Sequence, residues 1–234
     1  MKVQYFGDVN DYRKFALLRL LATVGGFKIG VCWLLTPDEG SKREYLGRPD
    51  QWRTFDPALF DLLKNVTRER PATGLEHIEK SNVVPDALFF NELTPGGKDA
   101  RRAHHERCMR AFAGTDLVFF DPDNGLMADS VPNGRSKSRK HVYLNEVADH
   151  YAARQSVLLY QHYPREPREA FLTRMAGKLS SNLSEATIWS FQTAHAAFML
   201  TARSEHVARD ETMVRALPTT WSPGFLKVER HATN

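Results

Sequence analysis

Asp116-Leu-Val-Phe-Phe-Asp121-Pro-Asp-Asn-Gly-Leu126 decides how the chain is read. Its four apolar residues, Leu117 to Phe120, stop at an acid and a proline, which describes a short strand buried on both faces. Open α/β sheets bind ligands beyond the carboxyl ends of their strands. Asp121 is therefore expected at the open lip of a sheet, within reach of a small molecule. Alternation along an extended chain would put Asp121 and Asp123 on one side, able to share a cation or a substrate proton. Asn124-Gly125 supplies a turn. Every residue from Asp121 to Gly125 is a turn former, so the stretch also describes a plain polar turn.

Working outward, apolar runs alternate with helical periodicity, the α/β pattern. Residues 12–21 carry Phe15, Leu18 and Leu21 on one helical face, with Asp11 as the expected N-cap and Gly25-Gly26 as the stop. Strands are expected at 28–35, 87–90, 116–121 and 155–160, with a closing strand pair at 188–191 and 196–201. Helices are expected at 57–66, capped by Asp56, and at 101–112, 143–151 and 166–183. The strand ends direct attention to Thr36–Gly40, Asn91–Thr94, Asp121–Leu126 and Gln161–Arg165. Residues 128–140 are polar and basic and are expected to form a mobile loop.

The chain has 234 residues, 42% hydrophobic and 26% charged, enough for one domain with its own core. The net charge of +4 permits a nucleic-acid partner without demanding one. No run approaches 18 apolar residues, so no membrane partner is expected. The opening MKVQYFGDVNDYRKF has no apolar signal core. The two cysteines, Cys32 and Cys108, cannot make a disulfide framework or a cysteine-rich zinc site, and a cytoplasmic location is expected.

Several smaller motifs carry chemistry. Asp8, Asn10 and Lys14 at a helix start could pinch a ligand, or form a cap and a solvated first turn. Gln161-His-Tyr-Pro-Arg165 offers His162 for proton transfer and Tyr163 for stacking. The basic run containing Lys137 and Lys140 suits phosphate contacts, or a solvated loop. His104 and His105 are adjacent on a helix and face different ways, which makes a poor metal pair. Zinc spacings, a nucleophile elbow and a phosphate-binding Walker loop are all absent from the sequence.

The order of these motifs carries a resemblance. A Gly7…Asp8…Lys14 helix is followed by a strand ending near Thr36, a Glu-Tyr-Leu stretch at 44–46, the strand ending in Asp121-Pro122, and a strand ending in Tyr163-Pro164. Over most of the chain this resembles the adenine-N6 methyltransferases of large-subunit ribosomal RNA. It is also similar to bacterial methyltransferase-like families with an Asp-Pro-Asp-Asn-Gly-Leu signature. The resemblance implies a single α/β domain over 1–234. Its form would be a Rossmann-like, class I methyltransferase-like three-layer sandwich with a mostly parallel sheet and a C-terminal antiparallel strand pair. It sets Asp121-Pro122 in the place of a catalytic Asp-Pro-Pro-Tyr, whose acid and following carbonyl accept hydrogen bonds from the target amino group, while the aromatic stacks on a flipped base. Two departures stand out. Asp123-Asn124 replace the Pro-Tyr pair, leaving Tyr163 as the substitute aromatic. Thr36-Pro-Asp-Glu-Gly40 replaces the expected glycine loop.

Three functions compete on these residues. The first is an S-adenosylmethionine-dependent methyltransferase acting on an amino group of a nucleic-acid base or related heterocycle. Thr36, Asp38, Glu39 and Asn91 would hold the cofactor. Asp121, Asp123 and His162 would carry the chemistry. Asp8, Lys14, Asn124, Lys137, Lys140, Tyr163 and Arg165 would contact the substrate. The second is a magnesium- or manganese-dependent phosphoesterase or nuclease, with Asp121, Asp123 and Glu146 on the metal. The third is a non-catalytic binding protein on the same scaffold.

Overall fold

A computed structural model describes residues 6–37, 48–69, 74–127, 136–221 and 224–232. The N-terminal helix α1 (Val9–Thr23) leads into β1 (Ile29–Cys32). Three helices follow, α2 (Pro49–Trp52), α3 (Pro57–Glu69) and α4 (Gly74–Lys80), and then β2 (Leu88–Phe90). Helix α5 (Lys98–Ala111) leads to β3 (Leu117–Phe120). Next come β4 (Gly125–Leu126), β5 (His141–Val142), α6 (Leu144–Ala152) and β6 (Ser156–His162). Helix α7 (Arg168–Asn182), β7 (Thr187–Gln192), β8 (Ala196–Ala202), α8 (Val207–Arg215) and β9 (Lys227–His231) complete the chain.

Seven strands form one sheet in the order β2-β1-β3-β6-β8-β7-β9. The first four are parallel, and each later pairing is antiparallel. Five strands therefore run one way, with β8 and β9 reversed. The result is an α/β fold whose mostly parallel central sheet is flanked by helices. Strands β4 and β5 make a separate two-stranded parallel ladder.

Strict alternation divides the core in two. Val31, Trp33, Leu117, Phe119, Leu158 and Tyr160 face one cluster with residues of α1, α3, α4 and α8. Cys32, Leu34, Val118, Phe120, Val157 and Leu159 face the other, with residues of α5, α6 and α7. Both faces are covered, which is why the central strands carry continuous apolar runs. Gly30 in β1 admits Phe112, whose ring would overlap any Cβ placed there.

The expected strands and helices are present, with ends displaced by a few residues. Asp56 caps α3 as expected, accepting from Leu59 N at 3.1 Å. One expectation needs correction. The cap of α1 is Asp8, which accepts from Asn10 N and Asp11 N, while Asp11 lies inside the first turn. Within the stretch expected to be a mobile loop, residues 136–140 form a 3₁₀ turn; 128–135 lie outside the described residues. Helices α2, α4 and α8 and strand β9 were not anticipated. Strand β9, Lys-Val-Glu-Arg-His, pairs among the described residues with β7 alone and stays largely exposed, so no buried run announces it. No helix among the described residues is long and apolar enough to cross a membrane.

Candidate functional site

The strand order sets the place. From β1 the chain moves outward to β2, then crosses back so that β3 lies on the other side of β1. Crossovers leaving in opposite directions open a crevice at the carboxyl ends of β1 and β3. Thr36 follows one strand and Asp121 to Asp123 follow the other. Across this crevice Thr36 Oγ1 donates to Asp123 Oδ2 at 2.7 Å.

Asp121 is at the strand tip, as expected, but it is not at an open lip. It is 3% exposed, and the buried Lys14 ammonium reaches it at 2.6 Å. The alternation that puts Phe119 on the α1 face of the sheet carries Asp121 to the same face. Lys14 also donates to Asp11 Oδ1 at 2.6 Å, and Asp11 Oδ2 accepts from Gly7 N at 2.7 Å. Trp33 and Tyr160 flank the ammonium, each with its ring centroid 5.8 Å away. Burial alone would lower the Lys14 pKa, yet Asp11 and Asp121 outweigh it and hold the amine charged. Burial raises Asp121 above the usual carboxylate range, with Lys14 opposing.

Asp8 completes the group. Its carboxylate caps α1 at 2.7 and 2.8 Å. Burial first, and Asp11 second, push it from 3.8 to about 7. Three carboxyls thus face one ammonium, and one of them keeps a proton near neutral pH. Among the described residues, Asp123 accepts from Thr36 and Asp121 from Lys14.

His162, at the end of β6, is the exposed member. Its ring lies 3.4 Å from the Tyr160 hydroxyl. Burial lowers its pKa, against the pull of Asp121 and Asp123, so it is neutral at pH 7.

The Asp-Asn-Gly turn is latched from the opposite face of the sheet. Gln161 Oε1 accepts from Leu126 N at 2.8 Å, and its Nε2 donates to the Asn124 carbonyl at 3.1 Å. Gly125 has φ +105°, and a Cβ there would overlap the Gln161 carboxamide. The Lys140 carbonyl accepts from Asn124 N at 2.9 Å, and Asn124 Nδ2 lies 3.1 Å from His141 Nε2.

The other expected residues are dispersed. Asn91 is exposed and donates to Glu79 Oε2 at 3.0 Å, beyond β2. Arg165 is exposed past the end of β6. Tyr163 packs edge-on against Phe171 with ring centroids 6.0 Å apart. Lys137 falls in the 3₁₀ turn, with its side chain outside the described residues; Asp38 and Glu39 lie outside them altogether. Glu146 does not join the aspartates. Both its oxygens are engaged by Arg101, at 2.5 and 2.7 Å, and Oε2 also accepts from Tyr143 N. It lines a small void with Phe120, on the face opposite Asp121. Among the described residues no group of three His, Cys, Asp or Glu is placed to hold a metal ion.

Sequence reasoning missed Asp11 as a charge partner and Gln161 as the latch. A signal for the first was available: Asp11 and Lys14 are three apart, on one side of a helix. For Gln161 the signal was its alternation with His162, which sends it to the face where Gly125 lies. Comparison of the chain with protein-family models, curated proteins and solved structures yields no match in any of the three.

Proposed function

We propose that this chain is an S-adenosylmethionine-dependent methyltransferase acting on an amino group of a heterocycle such as a nucleic-acid base, built on a class I methyltransferase-like, Rossmann-like sheet. One observation carries the reading. The strand order reverses between β1 and β3, and Thr36, Asp121 and Asp123 meet at that crevice. The insertion of β8, antiparallel, between β6 and the like-directed β7 supports the same architecture.

The residues fit the cofactor in charge. Asp8, Asp11 and Asp121 gather at the crevice around Lys14, and carboxylates there would favour a cationic sulfonium. When bound, the cofactor supplies an electrophilic methyl group and leaves as a neutral thioether. Asp123 is half-buried, whereas Asp121 is sealed. Asp123, oriented by Thr36, is therefore the acceptor for the target N–H, and Asp121 with Lys14 is its rigid support. His162, neutral and exposed beside them, takes the proton that the nitrogen loses. The metal-dependent phosphoesterase reading lacks this support, because Glu146 and Asp121 are on opposite faces and Lys14 occupies the cation position.

Calorimetry with S-adenosylmethionine tests the reading. Binding is expected, tightening as pH rises from 6 to 8 because Asp8 gives up its proton to accommodate the sulfonium. Asp123→Asn is expected to abolish methyl transfer while retaining binding. No heat and no thermal shift at millimolar cofactor would remove the proposal.

A further inference from the structure

Arg13, the neighbour of Lys14 on α1, is a buried cation that no acid pairs with among the described residues. It is 3% exposed. Its guanidinium carbon stands 4.8 Å from the ring centroid of Trp52 and 5.7 Å from that of Phe225. Nη2 donates to the Gly224 carbonyl at 3.3 Å, and the buried Nε has no partner. Asp8 supports the charge from a distance without an ion pair, and Asp8 itself holds a proton near neutral pH. Lys14 has two acids at 2.6 Å; Arg13 has none. A buried charge left without a counter-charge is costly. One turn earlier on the same side of α1, Asn10 Oδ1 is buried and also has no partner. Asp8 and Asn10 are half-buried, so the group is reached from solvent. Its place is the ligand end of the sheet. Helix α1 leads into β1, which sets its first turns beside the carboxyl end of that strand. Lys227 pairs with Gln192, the last residue of β7, so Gly224 and Phe225 approach at the same end.

We infer that Arg13 and Asn10 seat the α-amino-acid end of a ligand, with its carboxylate on the guanidinium and its ammonium on the Asn10 side-chain oxygen beside Asp8. A guanidinium stacked on aromatic rings keeps its edge for a planar anion, which is the geometry a carboxylate matches. An unbonded acceptor next to a carboxyl suits the three donors of an ammonium. Zwitterion and site thus complete each other: the donor that lacks an anion gains one, and the acceptor that lacks a donor gains one. The methionine end of S-adenosylmethionine and a free α-amino acid present the same group. The seat is argued from the unpaired charge alone; its occupation by the cofactor rests on the methyltransferase reading.

Titration calorimetry on the full chain tests this with three probes. They are S-adenosylhomocysteine, methylthioadenosine (a thioether nucleoside without the amino-acid end) and L-methionine. S-adenosylhomocysteine is expected to bind about tenfold or more tightly than methylthioadenosine, the worth of a charge-assisted carboxylate contact. Arg13→Met is expected to remove that preference. It should leave the denaturation midpoint unchanged or raised, because methionine packs beside Trp52 and an unpaired buried charge is gone. Asn10→Ala keeps the backbone donors that Asp8 caps and should weaken S-adenosylhomocysteine alone. A purely structural cation would show the reverse: a lowered midpoint in Arg13→Met with the preference intact, which overturns the inference. A preference that survives both substitutions overturns it too. Equal binding of the two nucleosides overturns the seat and leaves the methyltransferase reading standing. Binding of L-methionine that needs Arg13, in a chain that takes neither nucleoside, would sink the methyltransferase reading and leave the seat standing. No binding of any probe at millimolar concentration overturns both.

Discussion

Two of the buried cations, Lys14 and Arg101, lie under opposite faces of the sheet and are neutralised differently. Arg101 on the α5 face meets a single acid, Glu146, through two hydrogen bonds of 2.5 and 2.7 Å. Burial would depress the guanidinium, but Glu146 holds it above its usual value. Lys14 on the α1 face meets two acids at 2.6 Å each, and a third, Asp8, stands beside them holding a proton near pH 7. The first system is balanced, and it ties α5 to α6. The second gathers three carboxyls at a strand-end crevice. Clustered acids at a strand end, one of them poised near neutrality, are where function is expected; a lone pair away from it is expected to be structural.

The largest test removes the cations. Lys14→Met and Arg101→Met each leave buried carboxylate uncompensated and should cost about 3–5 kcal/mol in denaturant unfolding. The contrast lies in pH. The Lys14 variant should regain stability on acidification more steeply than the Arg101 variant, because two or three carboxyls take up protons rather than one. Equal slopes would break the comparison.

Next in size is the latch between the two faces. Gly125→Ala places a Cβ against Gln161 at φ +105°. It should lower stability by about 1–3 kcal/mol, read from the denaturation midpoint. It should also weaken methyl transfer more than cofactor binding, because Asp123 sits on the same turn.

Asp8→Asn sharpens the comparison further. The folded-state carboxyl titrates near 7 and the unfolded one near 3.8, so the folded chain holds the extra proton between those values. Stability from this group is full below pH 4 and is lost as pH rises through 7, by at most about 1.4 kcal/mol per pH unit. Asparagine keeps the cap on α1 and removes that slope. Asp210 on α8 contributes a slope of the same sign, since it is fully buried, finds no partner among the described residues and also sits near 7. Unfolding measured at pH 5, 6, 7 and 8 in Asp8→Asn and Asp210→Asn should flatten stepwise.

The smallest effect belongs to the exposed Arg53–Asp61 pair, 2.7 Å apart but solvated on both sides. Arg53→Gln should leave the midpoint unmoved, which sets the scale against which the two buried systems are judged.

Much of this was legible in the residues. The apolar runs at Ile29–Cys32, Leu117–Phe120 and Val157–Tyr160 marked the core strands, because a strand covered on both faces is largely apolar. Asp56 and Pro57 marked the start of α3. Period-two alternation would also have assigned Asp121 to one face and Gln161 to the other, once the direction of Phe119 or Leu159 was known. The residues alone could not say which helix covered which face, so Glu146 appeared as a possible companion of Asp121 when it lies across the sheet from it.

What the sequence determined by itself was local. Strand and helix formation follow from periodicity, a cap from a short polar side chain, and a turn from Asn-Gly, all within a few residues. The tertiary structure alone decided that Lys14 would meet Asp121 across 107 positions, and that an acid expected to be open would be sealed. A buried charge takes whichever opposite charge the packing of distant elements brings within about 3 Å, and desolvation makes that choice binding.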